Sequence, residues 1–191
     1  LGSNGDSGVS SRIFGQFLTW MQEKESPVFV IATANNINNL PPELLRKGRF
    51  DEIFFVDLPT FVERKEIFKL HLEKRLKDKE VASEIVRVKN ICAELAKMTE
   101  GFIGSEIEQV VVSALCDAFF ENRSLKFEDL VKNIQTTVPL STTQREQILA
   151  LRNWANVRAV SATKTSNLKE YKKEDNTENV TASRGGRTLD F

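Results

Sequence analysis

The sequence predicts an α/β protein: half of a parallel-sheet layer, followed by a small all-helical domain. Three observations carry this prediction. Residues 28–33 and 53–56 are unbroken runs of β-branched and aromatic residues rather than alternating ones, the pattern of parallel strands covered on both faces. An amphipathic helical stretch precedes the first run, so helix and strand alternate as they do in α/β folds. After Thr60 apolar residues recur at helical spacing as far as about Val160, and no further strand pattern occurs.

The 191 residues, 40% of them hydrophobic, are enough for one large domain or two small ones with a core. Lysine plus arginine equals aspartate plus glutamate at 27 each, so no global field gathers nucleic acid or an anionic membrane, and any anion site is local. No apolar run has the length needed to cross a bilayer. Cys92 and Cys116 lack metal-ligand spacing and lie in apolar helical surroundings, which predicts reduced core thiols, and no metal-ligating set is expected in this chain. The sequence opens in mid-loop on Leu1 and is expected to be a fragment.

Residues Leu1 to Ser11, rich in glycine and serine, read as a loop. From Arg12 to Gln22, Ile13, Phe17 and Met21 form an apolar stripe with Phe14 and Leu18 beside it, leaving Arg12 and Gln16 on the wet side. Pro27 opens the run Val28 to Thr33. Asn35, Asn36, Asn38 and Asn39 follow directly, either as a plain turn or as a site, because ligands of open parallel sheets sit just beyond the carboxyl ends of strands. Next comes Leu44-Leu45-Arg46-Lys47-Gly48-Arg49-Phe50-Asp51. Two arginines on one short turn suit a phosphate or carboxylate, since the guanidinium forks onto planar oxyanions. The alternative is pairing with Glu43, Asp51 or Glu52.

Ile53 to Val56 forms the second strand, ended by Leu58-Pro59-Thr60. Thr60 with Glu63 makes a capping box for a helix that lines Phe68, Leu72 and Leu76 along one face. Ile91 to Met98 is a helix. Gly101 and Gly104 bracket a break, and Ser105 with Glu108 is expected to cap a helix carrying Ile107, Val110, Val111, Ala114, Leu115, Ala118 and Phe119 inward. A short helix covers Phe127 to Gln135. Ser141 with Gln144 is expected to cap another, running to about Val160 with Ile148, Leu151 and Trp154 inward. The resulting organisation is an α/β part over residues 1–59, a helical domain over 60–140, a C-terminal helix over 141–160 and a polar tail over 161–191 expected to be disordered.

Four segments in order resemble the AAA-type ATPases. Val30 to Asn35 with Leu40 to Asp51 resembles their second region of homology, and Arg12 to Met21 the helix before it. Thr99-Glu100-Gly101-Phe102-Ile103-Gly104-Ser105 is similar to the glycine motif of their helical lid. The resemblance spans about Arg12 to Pro139. Within the family, Pro139-Leu140-Ser141 and Arg152 to Ala159 look most like an uncharacterised group of cyanobacteria and red-algal plastids.

The resemblance implies the C-terminal half of a parallel-sheet P-loop NTPase core followed by a helical lid. It gives Asn35 the sensor role, its amide holding the attacking water and contacting the γ-phosphate, chemistry that a group both donating and accepting can perform. Asn36 stands where arginine is common and receives no role. Arg46 and Arg49 would be arginine fingers in the ATP site of the neighbouring subunit, an effect of about 4 to 7 kcal/mol on the transition state. His71 reads from its position as a core or half-buried residue, and the resemblance implies a contact to the bound nucleoside. Gly104 and Ser105 would let backbone approach the nucleotide at a positively polarised helix start, although Ser105 replaces the commoner alanine.

The glycine-rich start is either a second pore loop or a linker. No Gly-x-x-x-x-Gly-Lys-Ser/Thr occurs, nor the acidic pair that would hold Mg²⁺, and both are expected N-terminal to Leu1. The implied function is ATP hydrolysis driving macromolecular remodelling by a homo-oligomeric ring, usually a hexamer. ATP and Mg²⁺ would be the cofactors, a protein the substrate, and the cytoplasm or plastid stroma the location. This chain alone is expected to be inactive. An interaction module completing a partner's ATPase site is the alternative; a clamp-loader-like nucleic-acid binder is disfavoured by the zero net charge.

Overall fold

The structure is a computed structural model describing residues 6–37, 40–46, 48–77, 82, 85 and 88–163. The expectations for the tail beyond residue 163, for Asn38 and Asn39, and for Gly2 and Gly5 lie outside the described residues. The chain divides into two compact units, residues 1–53 and 54–191.

In the first unit, α1 runs from Asp6 to Glu23. It begins earlier than the sequence suggests, since Gly8 is taken into the helix rather than ending a loop at Ser11. Arg12 and Gln16 are exposed as expected, whereas Ile13, placed on the apolar stripe, is 58% exposed. At the helix end Phe17 stacks on Trp20 with ring centroids 5.9 Å apart. Lys24 lies 5.8 Å over the Trp20 ring and donates to the Val28 carbonyl at 2.9 Å.

The strand expected at residues 28–33 is absent: those residues take no strand pairing, and Phe29 and Ile31 are 90% and 79% exposed. A strand exists only with a ladder partner, and the described residues of this unit provide none. A short 3₁₀ turn, Pro42–Leu45, buries Leu44 and leads into the arginine turn. There Gly48 has φ 92°, a left-handed conformation that L side chains resist.

The second unit holds β1 (Phe54–Phe55), α2 (Phe61–Arg75), α3 (Ile91–Met98), α4 (Gly104–Phe120), α5 (Phe127–Thr136), α6 (Leu140–Thr143), α7 (Arg145–Arg158) and β2 (Val160–Ser161). The predicted parallel pairing is present, but the partner is new. β1 pairs with β2 in the register Phe54 to Val160 and Phe55 to Ser161, and the Ala162 N–H donates to the Phe55 carbonyl at 2.9 Å. This ladder is open to solvent, with Phe54 half exposed and Val56 mostly so, rather than covered on both faces.

The Thr60 capping box forms as read. Glu63 accepts from the Thr60 N–H at 2.8 Å, and the Thr60 hydroxyl caps the Glu63 N–H. Phe68 and Leu72 of α2, Leu95 of α3, Ile107, Val110, Val111 and Ala114 of α4, and Leu130 and Ile134 of α5 form one core. Each of these side chains other than Ala114 contributes about 1.5–3 kcal/mol on burial.

Several local expectations are overturned. Ser105 caps nothing: α4 starts two residues earlier than that cap would set it, with Ile103 at the N-cap, and its entry is held by Glu106, whose carboxylate accepts from the Ile103 N–H at 2.8 Å. Glu108 instead pairs across to α2. Phe119 is 81% exposed, and Cys116 is exposed rather than a core thiol. At about 100° per residue, Cys116 lies opposite the buried Ile107 on the helix. Cys92 is half-buried, and both cysteines are free thiols. The helix expected from Ser141 is broken at Gln144 into α6 and α7, and its buried residue is Ala155, with Ile148, Leu151 and Trp154 only half-buried.

Candidate functional site

The candidate residues fall into two groups, one in each unit. In the first unit Asn35 is exposed and lines a shallow depression with Thr33 and Ala34. Arg46 is exposed at the end of the 3₁₀ turn, with its N–H donating to the Glu43 carbonyl at 3.4 Å. The Arg49 N–H donates to the Arg46 carbonyl at 3.3 Å, and Gly48 supplies the left-handed residue that lets the backbone double back. Arg49 is half-buried, and its Nη1 is buried without a hydrogen-bond partner among the described residues. A guanidinium is five donors with no way to lose its charge, and leaving one buried is costly. The expected alternative, pairing with Glu43, Asp51 or Glu52, finds no ion pair among the described residues.

In the second unit α2 and α4 set Ile67 beside Gly104 and His71 beside Glu108. His71 sits on α2 one turn after Ile67, and a Cβ built on Gly104 would come no closer than 3.9 Å to the Ile67 side chain. That is ordinary contact, so packing here does not demand a glycine. One turn further along α4, Glu108 lies 3.7 Å from His71 Nδ1 and pairs with Arg75. The Arg75 Nη1 donates to His71 Nδ1 at 2.9 Å. The hydrogen bond from Arg75 holds the Glu108 carboxyl below the usual carboxylate range. Ser105 is exposed on the first turn of α4.

The conformational demand for glycine lies elsewhere in this motif. Gly101 has φ 77°, and an added Cβ would meet the Ser141 Oγ at 2.3 Å. Glu106 completes the same corner: beyond holding Ile103, its other oxygen accepts from the Leu140 N–H at 2.7 Å. A carboxylate therefore already draws on the positive end of α4. The sequence marks Gly101 as a break but gives no sign of Glu106. The spacing of Glu106 three residues after Ile103 is the N3 acid of a capping box, but Ile103 has no side-chain acceptor, so only half the signature was there.

Among the described residues no group of three or more His, Cys, Asp or Glu side chains gathers as a metal site, and no helix is long and apolar enough to cross a membrane.

Residues 1–58 match the family described as "ATPase family associated with various cellular activities (AAA)". The chain is 48% identical over 155 residues to an uncharacterized AAA domain-containing protein ycf46 of Pyropia yezoensis, an alignment covering 81% of this chain and 30% of that protein. It is 46% identical to the corresponding protein of Guillardia theta over 80% of the chain and 29% of the relative. A proteasome-activating nucleotidase of Sulfurisphaera tokodaii is 39% identical over 56% of the chain and 26% of its own length. The chain thus spans about 30% of the length of the first relatives it matches. In fold it is similar to the FIGL-1 AAA domain solved in complex with ADP, with a TM-score of 0.63 at 18% identity, covering 80% of this chain and 54% of that one. Residues 1–58 thus match the AAA family of ATPases, and in fold the chain is similar to the C-terminal part of a P-loop core followed by a helical domain.

Proposed function

We propose that the protein hydrolyses ATP with Mg²⁺ and couples hydrolysis to remodelling of a macromolecule, a protein substrate, as a homo-oligomeric ring of six subunits in the plastid stroma or cytoplasm. In this reading Asn35 positions the attacking water, Arg46 and Arg49 act in the ATP site of the next subunit, and His71, Gly104 and Ser105 border the nucleoside. The observation that carries it is the arginine turn, where Arg46 is exposed, Arg49 half-buried, and neither forms an ion pair among the described residues. Two guanidinium charges on one turn, unneutralised by a carboxylate, suit a phosphate held by another subunit.

The test is Asn35→Ala and Arg49→Ala in the full-length protein. Both should lose ATP turnover by about 10³-fold or more while still binding ATP. Turnover within a few-fold of the parent in either variant would refute the assigned role.

The second reading is an interaction module that completes a partner's ATPase site without catalysis of its own. By itself the chain should neither hydrolyse ATP nor bind it tightly. If the full-length protein is equally inert but stimulates the ATPase of a partner, the module reading replaces the enzyme.

A further inference from the structure

The contact between Arg75 and His71 has only one chemical solution. A guanidinium is a donor on all its N–H groups, accepts nothing and keeps its proton at any ordinary pH. Arg75 Nη1 lies 2.9 Å from His71 Nδ1, so that ring nitrogen must present its lone pair. The ring is then neutral, and its one N–H is on Nε2. The competing arrangement would protonate Nδ1 and give that proton to Glu108. Glu108 Oε1 is 3.7 Å away, beyond hydrogen-bond reach, and is already taken by Arg75 Nη2.

The geometry is held from two helices. His71 and Arg75 are one turn apart on α2, and Glu108 reaches them from α4. The His71 and Arg75 side chains are only 14% and 19% exposed, against 44% for Glu108. Glu108 is thus the outer end of a chain of contacts whose inner end is the imidazole.

We propose that Arg75, oriented by Glu108, is a positioning residue that fixes His71 in the Nε2–H tautomer, so that His71 meets the nucleotide only as a hydrogen-bond donor, to an acceptor atom of the nucleoside. The second half of this statement rests on the reading that His71 borders the nucleotide; the first half does not.

Because His71 is the only histidine, its ring nitrogens are read without assignment from ¹⁵N-detected spectra of the 191-residue chain at neutral pH. The parent should show an unprotonated Nδ1 and a protonated Nε2. In Arg75→Met the Nδ1 signal should shift toward the protonated position as both tautomers become populated, and Glu108→Gln should shift it in the same direction by less. A protonated Nδ1 in the parent, or an Arg75→Met spectrum identical to it, overturns the tautomer assignment. Should Arg75→Met fail to fold, the parent spectrum and Glu108→Gln still decide.

Nucleotide affinity of the full-length ATPase tests the other half. His71→Ala should weaken it about 2- to 12-fold, the worth of one neutral hydrogen bond, and Arg75→Met added to His71→Ala should weaken it no further. Unchanged affinity in His71→Ala refutes the nucleoside contact while leaving the spectroscopic result standing. A further loss in the double variant shows that Arg75 acts other than through His71, which contradicts the proposal.

Discussion

Arg152 on α7 and Asp57 just after β1, 95 residues apart in sequence, are joined by two contacts: Arg152 Nε lies 3.1 Å and 2.9 Å from the two carboxylate oxygens. Asp57 also accepts the Leu58 N–H at 2.7 Å, so the carboxylate is fixed before the arginine reaches it. Close by, Thr163 donates to Glu63 at 3.2 Å, and β2 runs beside β1. The C-terminal segment thereby clasps the start of the helical domain. Arg152→Met and Asp57→Asn should each destabilise this domain, and urea unfolding of the double-mutant cycle should give a coupling of about 1–3 kcal/mol. Additive single effects would mean the clasp rests on the ladder alone.

Gly101→Ala should cost about 1–3 kcal/mol, because φ 77° is strained for a residue with a Cβ and that Cβ would also meet Ser141. Adding Ser141→Gly should recover only part of the loss, since it removes the collision and leaves the dihedral. Melting temperatures of the two variants separate these contributions. By contrast Gly104→Ala, with its Cβ in open contact, should fold as well as the parent.

Thr60 caps α2 from a fully buried position, so Thr60→Ala should destabilise the domain by about 0.5–2 kcal/mol, measured by chemical denaturation, and Thr60→Ser by less. An unchanged midpoint in Thr60→Ala would show that Glu63 holds the helix start unaided.

Arg123 grips Asp129 with both terminal nitrogens, at 2.6 Å and 2.7 Å, and the Lys126 N–H adds a third contact at 2.9 Å. The Arg123 hydrogen bonds hold the Asp129 carboxyl below its ordinary value. A lowered folded-state value means the stabilisation is fully present above the unfolded value of about 3.9 and disappears as pH falls through the lower, folded one. Unfolding free energy followed from pH 6 downward should fall in that acid window, and Asp129→Asn should start lower and lose less across it. Parallel curves for the two proteins would contradict this.

The helices were legible where apolar spacing and a complete cap coincide. Thr60 with Glu63 gives both halves of a capping box, and α2 begins where it was read. Ser105 with Glu108 offers the same letters, yet Glu108 is claimed by Arg75 from another helix, a long-range contact that local spacing cannot register. The run 28–33 has strand composition, but whether such a run pairs depends on a neighbour, and here it does not. β2 was invisible for the converse reason: Val160 and Ser161 have no strand signal of their own and pair only because α7 delivers them beside β1. Of the site, the arginine turn was legible because Gly48 between two arginines is a backbone requirement as well as a composition. Arg75, which sets the state of His71, carried no mark that distinguishes it from a surface residue.

Whether Arg49 acts outside its own subunit is decided by mixed rings. Full-length Arg49→Ala subunits are combined with subunits that keep every finger but carry Asn35→Ala, expected to be inactive by themselves. If the finger acts in the neighbouring site, mixing should restore ATPase activity, since in some interfaces an intact Asn35 site meets an intact Arg49 from next door. Activity that stays at the level of the two inactive proteins, in rings shown to contain both, would contradict it.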